Sequence, residues 1–405
     1  MVPKGWFEGR VGDLLEGLES GVSVNGEDRD FITGEKAVLK ISAVTYGTFD
    51  PKAAKVIDKS DLERAKTHPK RGQIIISRSN TEELVGASAY IDSDYPYLFL
   101  PDKLWQTVPK PHSDMKWLSY ILASSHVRYA LSNLATGTSG SMKNITKGEL
   151  LSLKVLIPPS QEQKEIANIL SAWDRAISTT EQLLANSHQQ KKALMQQLLT
   201  GKKRLLDNNG IRFSELWRNY NLSDMATIIM GSSPKSVAYN EDGVGLPLLQ
   251  GNADIKNRKS VPRIFTSEIT KECAIGDILL SVRAPVGTVA ISEHKACIGR
   301  GIAAIKAKRK FDQGFIYQWL LWFEKRWCSL SQGSTFESIN SDDIKHLIIR
   351  VPDFGEQVKI AAVLSTADQE ISVLQHKLDA LKQEKKALMQ QLLTGKRRVK
   401  VEEAA

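Results

Sequence analysis

Cysteine is scarce in this 405-residue chain: Cys273, Cys297 and Cys328 are the whole complement, and no two form a CxxC pair. Three thiols, all in the second half and none so paired, argue against a disulfide framework or a zinc ribbon. No apolar run approaches the ~18 residues that would span a bilayer. The opening MVPKGWFEGR has no apolar export core, so the cytoplasm is the expected compartment and no membrane is expected among the partners.

Catalytic constellations are missing as well. There is no G-x-x-x-x-G-K-[ST] loop, no G-x-G-x-x-G after a strand, no H-E-x-x-H and no paired Cys/His spacing. His68, His112, His126, His188, His294, His346 and His376 are scattered and read as surface or structural residues. Neither a Gly-rich methyl-donor loop with an Asn-Pro-Pro-aromatic motif nor a Pro-Asp…Glu-x-Lys nuclease cluster is present. These absences predict a binding protein with no catalytic residue, metal site or cofactor of its own.

Positive charge is what the chain does have. Lys and Arg number 55 against 46 Asp and Glu, and a net charge of +9 suits an anionic partner, of which nucleic acid is the commonest. The length allows two or three domains with real cores.

The strongest positive signal is duplication. KKALMQQLLTGK occurs at Lys191–Lys202 and again at Lys385–Lys396, 194 positions later. A solenoid stacks units of about 20–50 residues, so this period means two copies of one large unit. Ile145–Leu199 matches Ile339–Leu393 at the same offset without a gap. Within it, Leu153–Pro158 and Leu347–Pro352 read as strands ended by proline. A long helix follows in each copy. Ser160 with Gln163, and Asp353 with Glu356, are the expected capping boxes, and Gly201 and Gly395 the expected C-terminal stops. The basic runs Lys202-Lys203-Arg204 and Lys396-Arg397-Arg398 are explained by the negative end of the helix dipole.

Alternating steps of four and three residues pick out Ile166, Leu170, Trp173, Ile177, Thr180, Leu184, Ser187, Lys191, Leu194 and Leu198. The second copy has Ile360, Leu364, Ala367, Ile371, Leu374, Leu378, Leu381, Lys385, Leu388 and Leu392. Five heptads of apolar seam predict a coiled coil, and each helix is the other's natural, antiparallel partner. The simplest register puts Lys191 near Ala367 and Trp173 near Lys385, leaving each ammonium to water or an indole face.

Upstream, Val38–Lys40 aligns with Leu248–Gln250, Gly72–Ser77 with Gly276–Ser281, and Gly86–Ala89 with Gly287–Ala290, at offsets drifting from 210 to 201. Each copy then has an aromatic helical stretch, Lys116–Leu134 and Phe315–Leu330, and a Gly/Ser/Thr loop. Loops that diverge on a common scaffold are what reading two different targets requires. Candidate DNA-binding residues lie at strand ends and loops. They are Arg78, Ser79 and Asn80, with Arg283 taken as the counterpart of Arg78; Gln250, Asn252, Lys256 and Arg258; and Thr138, Ser141, Lys143, Ser334 and Thr335. Arg can bridge guanine O6 and N7, and Asn or Gln can pair with adenine. Gly/Ser/Thr loops offer amides and hydroxyls to phosphate oxygens.

The order variable segment, long helix, variable segment, near-identical long helix resembles the specificity subunit of type I restriction–modification enzymes. The carriers are Pro3-Lys-Gly-Trp6…Val11-Gly-Asp-Leu14, Arg212-Phe213…Trp217…Leu222-Ser-Asp-Met225, Gly276–Ser281, Gly333-Ser-Thr335, Pro352…Glu356-Gln357, and Leu-Leu-Thr-Gly at both helix ends. Departures are Gly137–Ser141 and Gly72-Gln73 in the first copy.

The resemblance implies an α+β fold. It has two globular α/β target-recognition domains, residues 1–158 and 204–352, separated by a long antiparallel two-helix coiled coil with a pseudo-two-fold internal repeat. The helices would occupy 159–203 and 353–398, with a tail at 399–405. Each domain would read one half of a bipartite asymmetric double-stranded DNA target. The helices would set the spacing and dock two modification (M) subunits. Those would carry S-adenosylmethionine, and restriction (R) subunits in the full complex would bring ATP and Mg chemistry. Alternatives are a modification-only system, a standalone enzyme and a coiled-coil scaffold unrelated to DNA.

Overall fold

The computed structural model describes residues 2–32, 34–139, 142–330 and 338–400. It divides into two compact units, Met1–Thr179 with Leu378–Ala405, and Thr180–Lys377.

In the first unit the strands run Leu15–Ser20, Leu104–Pro109, Ile74–Ser77, Ser88–Tyr90 across one antiparallel sheet. The run Ile74-Ile75-Ile76-Ser77 is buried throughout, so both faces of this sheet are covered. Side chains alternate along a strand. Ile74 and Ile76 therefore pack with Trp117, Leu118, Ile121, Ile166 and Leu170 on the helical side. Ile75 faces the other way, with Leu104 of its own sheet, against Ala37, Leu39 and Leu98 of a second sheet. That sheet orders Gly26–Glu27, Ala54–Ile57, Ala37–Leu39, Leu98–Phe99, with the last pair parallel.

The second unit repeats the plan. Its first sheet orders Ala226–Met230, Ile302–Ala307, Ile278–Ser281, Val289–Ile291, then Lys259–Ser260 and Ile255–Lys256. Ile278 and Leu280 face the helices with Phe315, Trp319 and Leu364. Leu279 faces a second sheet through Leu249, Ala296 and Ile298. There too the pairing of Leu246–Leu249 with Ala296–Ile298 is parallel. Each unit also contains a two-stranded pair, Phe7–Arg10 with Lys154–Ile157 and Arg218–Asn221 with Ile348–Val351.

The aromatic stretches differ. Lys116–Leu134 is not one helix: Met115–Ala123 and Ser125–Leu134 are divided at Ser124, whose ψ of 146° is extended. Gln313–Leu330 is continuous.

The long helices are Ser160–Leu198 and Phe354–Leu392, 39 residues each. Every seam position named from the periodicity is buried or half-buried. In the first unit Ile166 and Leu170 share a core with Leu392; in the second, Leu198 shares one with Ile360 and Leu364. Within each unit the partners run antiparallel: Leu392 packs with Ile166 and Leu170 while Lys385 bonds Asp174 in the first, and Leu198 packs with Ile360 and Leu364 while Lys191 bonds Asp368 in the second. The ion pairs use the same two repeat positions with the helices exchanged. The neighbours expected for the lysines, Trp173 and Ala367, lie one step short of these aspartates. A half-buried ammonium takes a carboxylate in preference to an indole because the charge pair offsets more of its lost hydration. Lys385 also lies 5.4 Å from the Tyr120 ring. Burial, with Asp174 accepting its hydroxyl proton, pushes the Tyr120 phenol up. In the second unit Gln318 Nε2 donates to Asp368 at 2.8 Å in the equivalent role.

The expected capping boxes do not form as drawn. Asp353 does cap, accepting the Glu356 amide at 3.1 Å, but the Glu356 carboxylate turns away. Gln163 Oε1 accepts the Asp114 amide at 3.1 Å while its Nε2 donates to Pro158 O. Gln357 repeats this with Asp312 and Pro352. Tertiary partners outcompete local ones because these side chains are buried and must be satisfied where they lie. Gly201 and Gly395 do end the helices, with φ of +72° and +66°.

Two of the arginines after those glycines have a use beyond the dipole. Arg204 binds Glu356 through Nε and one terminal nitrogen (2.7 Å), and Trp217 Nε1 donates to the same carboxylate at 3.3 Å. In the first unit Arg398 binds Glu162 through the same two nitrogens at 2.7 and 2.8 Å, and Trp6 Nε1 donates to it at 2.8 Å. Each arginine lies over the indole of its cluster.

Candidate nucleic-acid interface

In the first unit the strand Ile74–Ser77 continues through Arg78 into Ser79–Asn80. That short strand pairs with Met142–Asn144, which pairs in turn with Thr136–Ser139. Ladder pairing sets Asn80 opposite Lys143 and Ser79 opposite Asn144. Fold topology thus assembles four candidates, Arg78, Ser79, Asn80 and Lys143, on one small sheet from segments more than sixty positions apart. Ser79 is buried; Lys143 is half-buried, its ammonium donating to Gly137 O at 3.3 Å. Arg78 is anchored by Nε on Asp102 O at 2.8 Å, with a terminal nitrogen 3.5 Å from the Asp102 carboxylate. The Asn80 amide is held locally, donating to Ser77 Oγ at 3.3 Å. The backbone of Thr138 lies in the strand Thr136–Ser139, but its side chain falls outside the described residues, as do Ser141, Ser334 and Thr335 altogether.

In the second unit Gln250 opens a loop fastened from beneath. The Gln250 and Gly251 amides donate to Asp254 Oδ2 at 2.8 and 3.3 Å, and Arg263 Nε donates to Oδ1 at 2.9 Å. Asp254 is only 1% exposed, so this carboxylate holds the loop and is not offered to a ligand. Asn252, half-buried, starts the turn Asn252–Asp254. Lys256 is exposed in the hairpin Ile255–Lys256 with Lys259–Ser260. Asn257 and Arg258 make its two-residue turn with φ of +50° and +64°. Arg258 reaches the helix Gln313–Leu330, where Glu324 engages its fork and holds the guanidinium further toward its charged form. A DNA contact by Arg258 would compete with that pair.

Arg78 and Arg283 are not counterparts. Arg78 donates its amide to Lys103 O and accepts from Ile145, whereas Val282 makes the matching bonds to Gly301 and Ile339. Arg283 therefore corresponds to Ser79, one step along the strand, and one step turns a side chain to the opposite face. Arg283 is exposed, and its backbone bridges to Ser338.

Two polar residues beside Gln250 escaped the reading of the sequence. Ser233 and Arg300 come together because Gly299 and Gly301 let the Arg300 turn approach Gln250. A Cβ at Gly301 would stand 2.2 Å from Gln250 O. The Gly-Arg-Gly run was the available signal, but nothing in one dimension tied it to Gln250 or Ser233.

Comparison with known proteins gives one family. The type I restriction modification DNA specificity domain matches residues 3–186 and again 214–383. A putative type I restriction enzyme MjaX specificity subunit of Methanocaldococcus jannaschii is 31% identical, covering 98% of this chain and 95% of its own. Among solved structures, a chain from work on complex assembly and conformational transition of the type I R-M system matches with a TM-score of 0.58. It is 23% identical and covers 98% of this chain and 100% of its own. The type I restriction-modification S subunit of M. genitalium matches at 0.65, 17% identical, covering 97% and 96%.

Proposed function

The chain belongs to the type I restriction modification DNA specificity family, and from that premise we propose that its two recognition units each read one half of a bipartite, asymmetric double-stranded DNA target. The carrying observation is the contrast inside the duplication. The helix pair keeps the same cores and the same Lys–Asp pairs in both units. The strand-end positions differ, with Arg78 in one unit where Val282 stands in the other. A scaffold repeated with altered reading loops suits two dissimilar half-sites.

In this reading the chain selects and does not catalyse. Two modification subunits dock on the paired helices and carry the S-adenosylmethionine that methylates one adenine per half-site. Restriction subunits, where present, add ATP- and Mg-dependent cleavage. Methylome sequencing of a host expressing this chain with its modification subunit is expected to show a two-part adenine-methylated motif. Exchanging residues 1–150 for the same segment of another family member should rewrite one half and spare the other; changes in both halves would refute the assignment.

Helix length sets the gap between half-sites in this proposal. Thirty-nine helical residues span about 58 Å, and a duplex turn repeats every ~34 Å. Inserting four residues in each long helix should change the preferred gap in a binding-site selection. A gap that stays the same removes the spacing role.

A further inference from the structure

In the second unit Arg300 sits at the tip of the turn Gly299-Arg300-Gly301 and is exposed. Both of its inner nitrogens are tethered: the backbone amide donates to Ser233 Oγ at 3.2 Å and Nε to the same oxygen at 3.4 Å. The terminal nitrogens have no partner among the described residues. A guanidinium held by Nε with its two-pronged end open needs little further ordering to grip a planar pair of acceptors.

The ground beneath it is rigid. The Ser232 amide donates to Ile298 O, Gly231 to Ile302 O and Gly299 to Leu249 O, so the turn is bonded to strands on two sides. A Cβ at Gly299 would lie 3.3 Å from both the Gln250 side chain and Ser233 Oγ. Gln250, with its own amide fixed to Asp254, therefore adjoins the arginine.

The corresponding turn of the first unit carries the opposite charge. Leu104 pairs with Ser77 as Ile302 pairs with Ser281, so Asp102 stands at the place of Arg300. Asp102 holds Arg78, whereas the second unit has Val282 at the place of Arg78 and leaves the turn's charge unpaired by that strand. Arg258 is taken by Glu324 and Arg263 by Asp254, while Arg283, one residue past Val282, is exposed but carries no side-chain tether like that of Arg300 among the described residues.

We infer that Arg300 is a specificity-determining residue of the second unit that reads a guanine through O6 and N7. Ser233 acts as its positioning residue, and Gln250 faces the adjoining base. This rests on the DNA-reading function proposed above. A guanine presents two acceptors side by side in the major groove, the pattern an open guanidinium fork matches. A phosphate would take the same charge but carries no sequence.

The test uses the full chain in complex with its modification subunit, selecting sites from a random double-stranded DNA library and sequencing the host methylome. Arg300→Lys keeps the charge and loses the fork. It should relax discrimination at one guanine of one half-site by about 10–100-fold, leaving the other half and the thermal midpoint unchanged. Ser233→Ala should relax the same position less. A uniform loss of affinity with the motif intact, and a salt dependence shallower by about one unit for Arg300→Ala, would make Arg300 a phosphate contact and overturn the inference. So would a motif indifferent to both substitutions. A wild-type complex selecting no two-part motif would overturn the parent function, and the inference with it.

Discussion

Glu356→Gln is expected to destabilise the second unit by about 3 kcal/mol, because it strips one partner from a charge pair withdrawn from water. The Glu356 side chain is fully buried while Arg204 is 20% exposed. A glutamine amide cannot balance the guanidinium and cannot accept from both Arg204 and Trp217 at two oxygens. Urea unfolding, with hydrogen exchange to localise the loss to residues 180–377, measures it. Glu162→Gln in the first unit should cost less, about 2 kcal/mol, since Arg398 is 41% exposed and keeps more of its hydration.

The first-unit cluster also carries a pH signature. Burial alone would raise the Glu162 carboxyl, but Arg398 and Trp6 together hold it below its ordinary value. The unfolded chain then binds that proton more readily than the folded one. The stabilisation is complete above the ordinary carboxylate value of about 4.3 and is lost as pH falls through the lower folded value. Glu162→Gln should flatten the acid limb of the urea midpoint plotted against pH. An acid limb of undiminished slope would show that Glu162 contributes no such linkage.

Gly287→Ala is expected to cost the second unit about 4 kcal/mol, from two additive causes. Its φ of +86° is left-handed, which a side chain adopts only under strain. An added Cβ would also meet Trp327 at 2.7 Å. Trp327 cannot withdraw: it is fully buried and packs edge-on against Phe323, which stacks on Trp319. Gly276→Ala is the control. Its φ is +87° with nothing within 4 Å of the added carbon, so only the backbone cost of about 1 kcal/mol remains. Equal losses at the two glycines would show that crowding against the aromatic helix contributes nothing.

Periodicity and duplication are properties of the chain itself, which is why the helices, their seam and the antiparallel pairing were readable in one dimension. The proline-ended strands and the positive-φ glycines followed for the same reason: φ limits are local. The register was legible to within one residue, since heptads place a lysine opposite a short stretch, and the choice of Asp368 over Ala367 is an electrostatic one. The break at Ser124 was not legible, because both sides of it are equally helical in character.

Composition and repeats alone therefore determined a two-copy protein with paired helices, a family resemblance and a basic, motif-poor surface. Tertiary structure decided which charges are committed. Arg204, Arg258 and Arg398 look free in sequence yet are spent on Glu356, Glu324 and Glu162. The fold also brought Ser233 and Gln250, distant along the chain, beside the Arg300 turn. A sequence ranks residues by type and spacing, whereas a charge is bound or open according to which buried partner the folded backbone brings within hydrogen-bond reach.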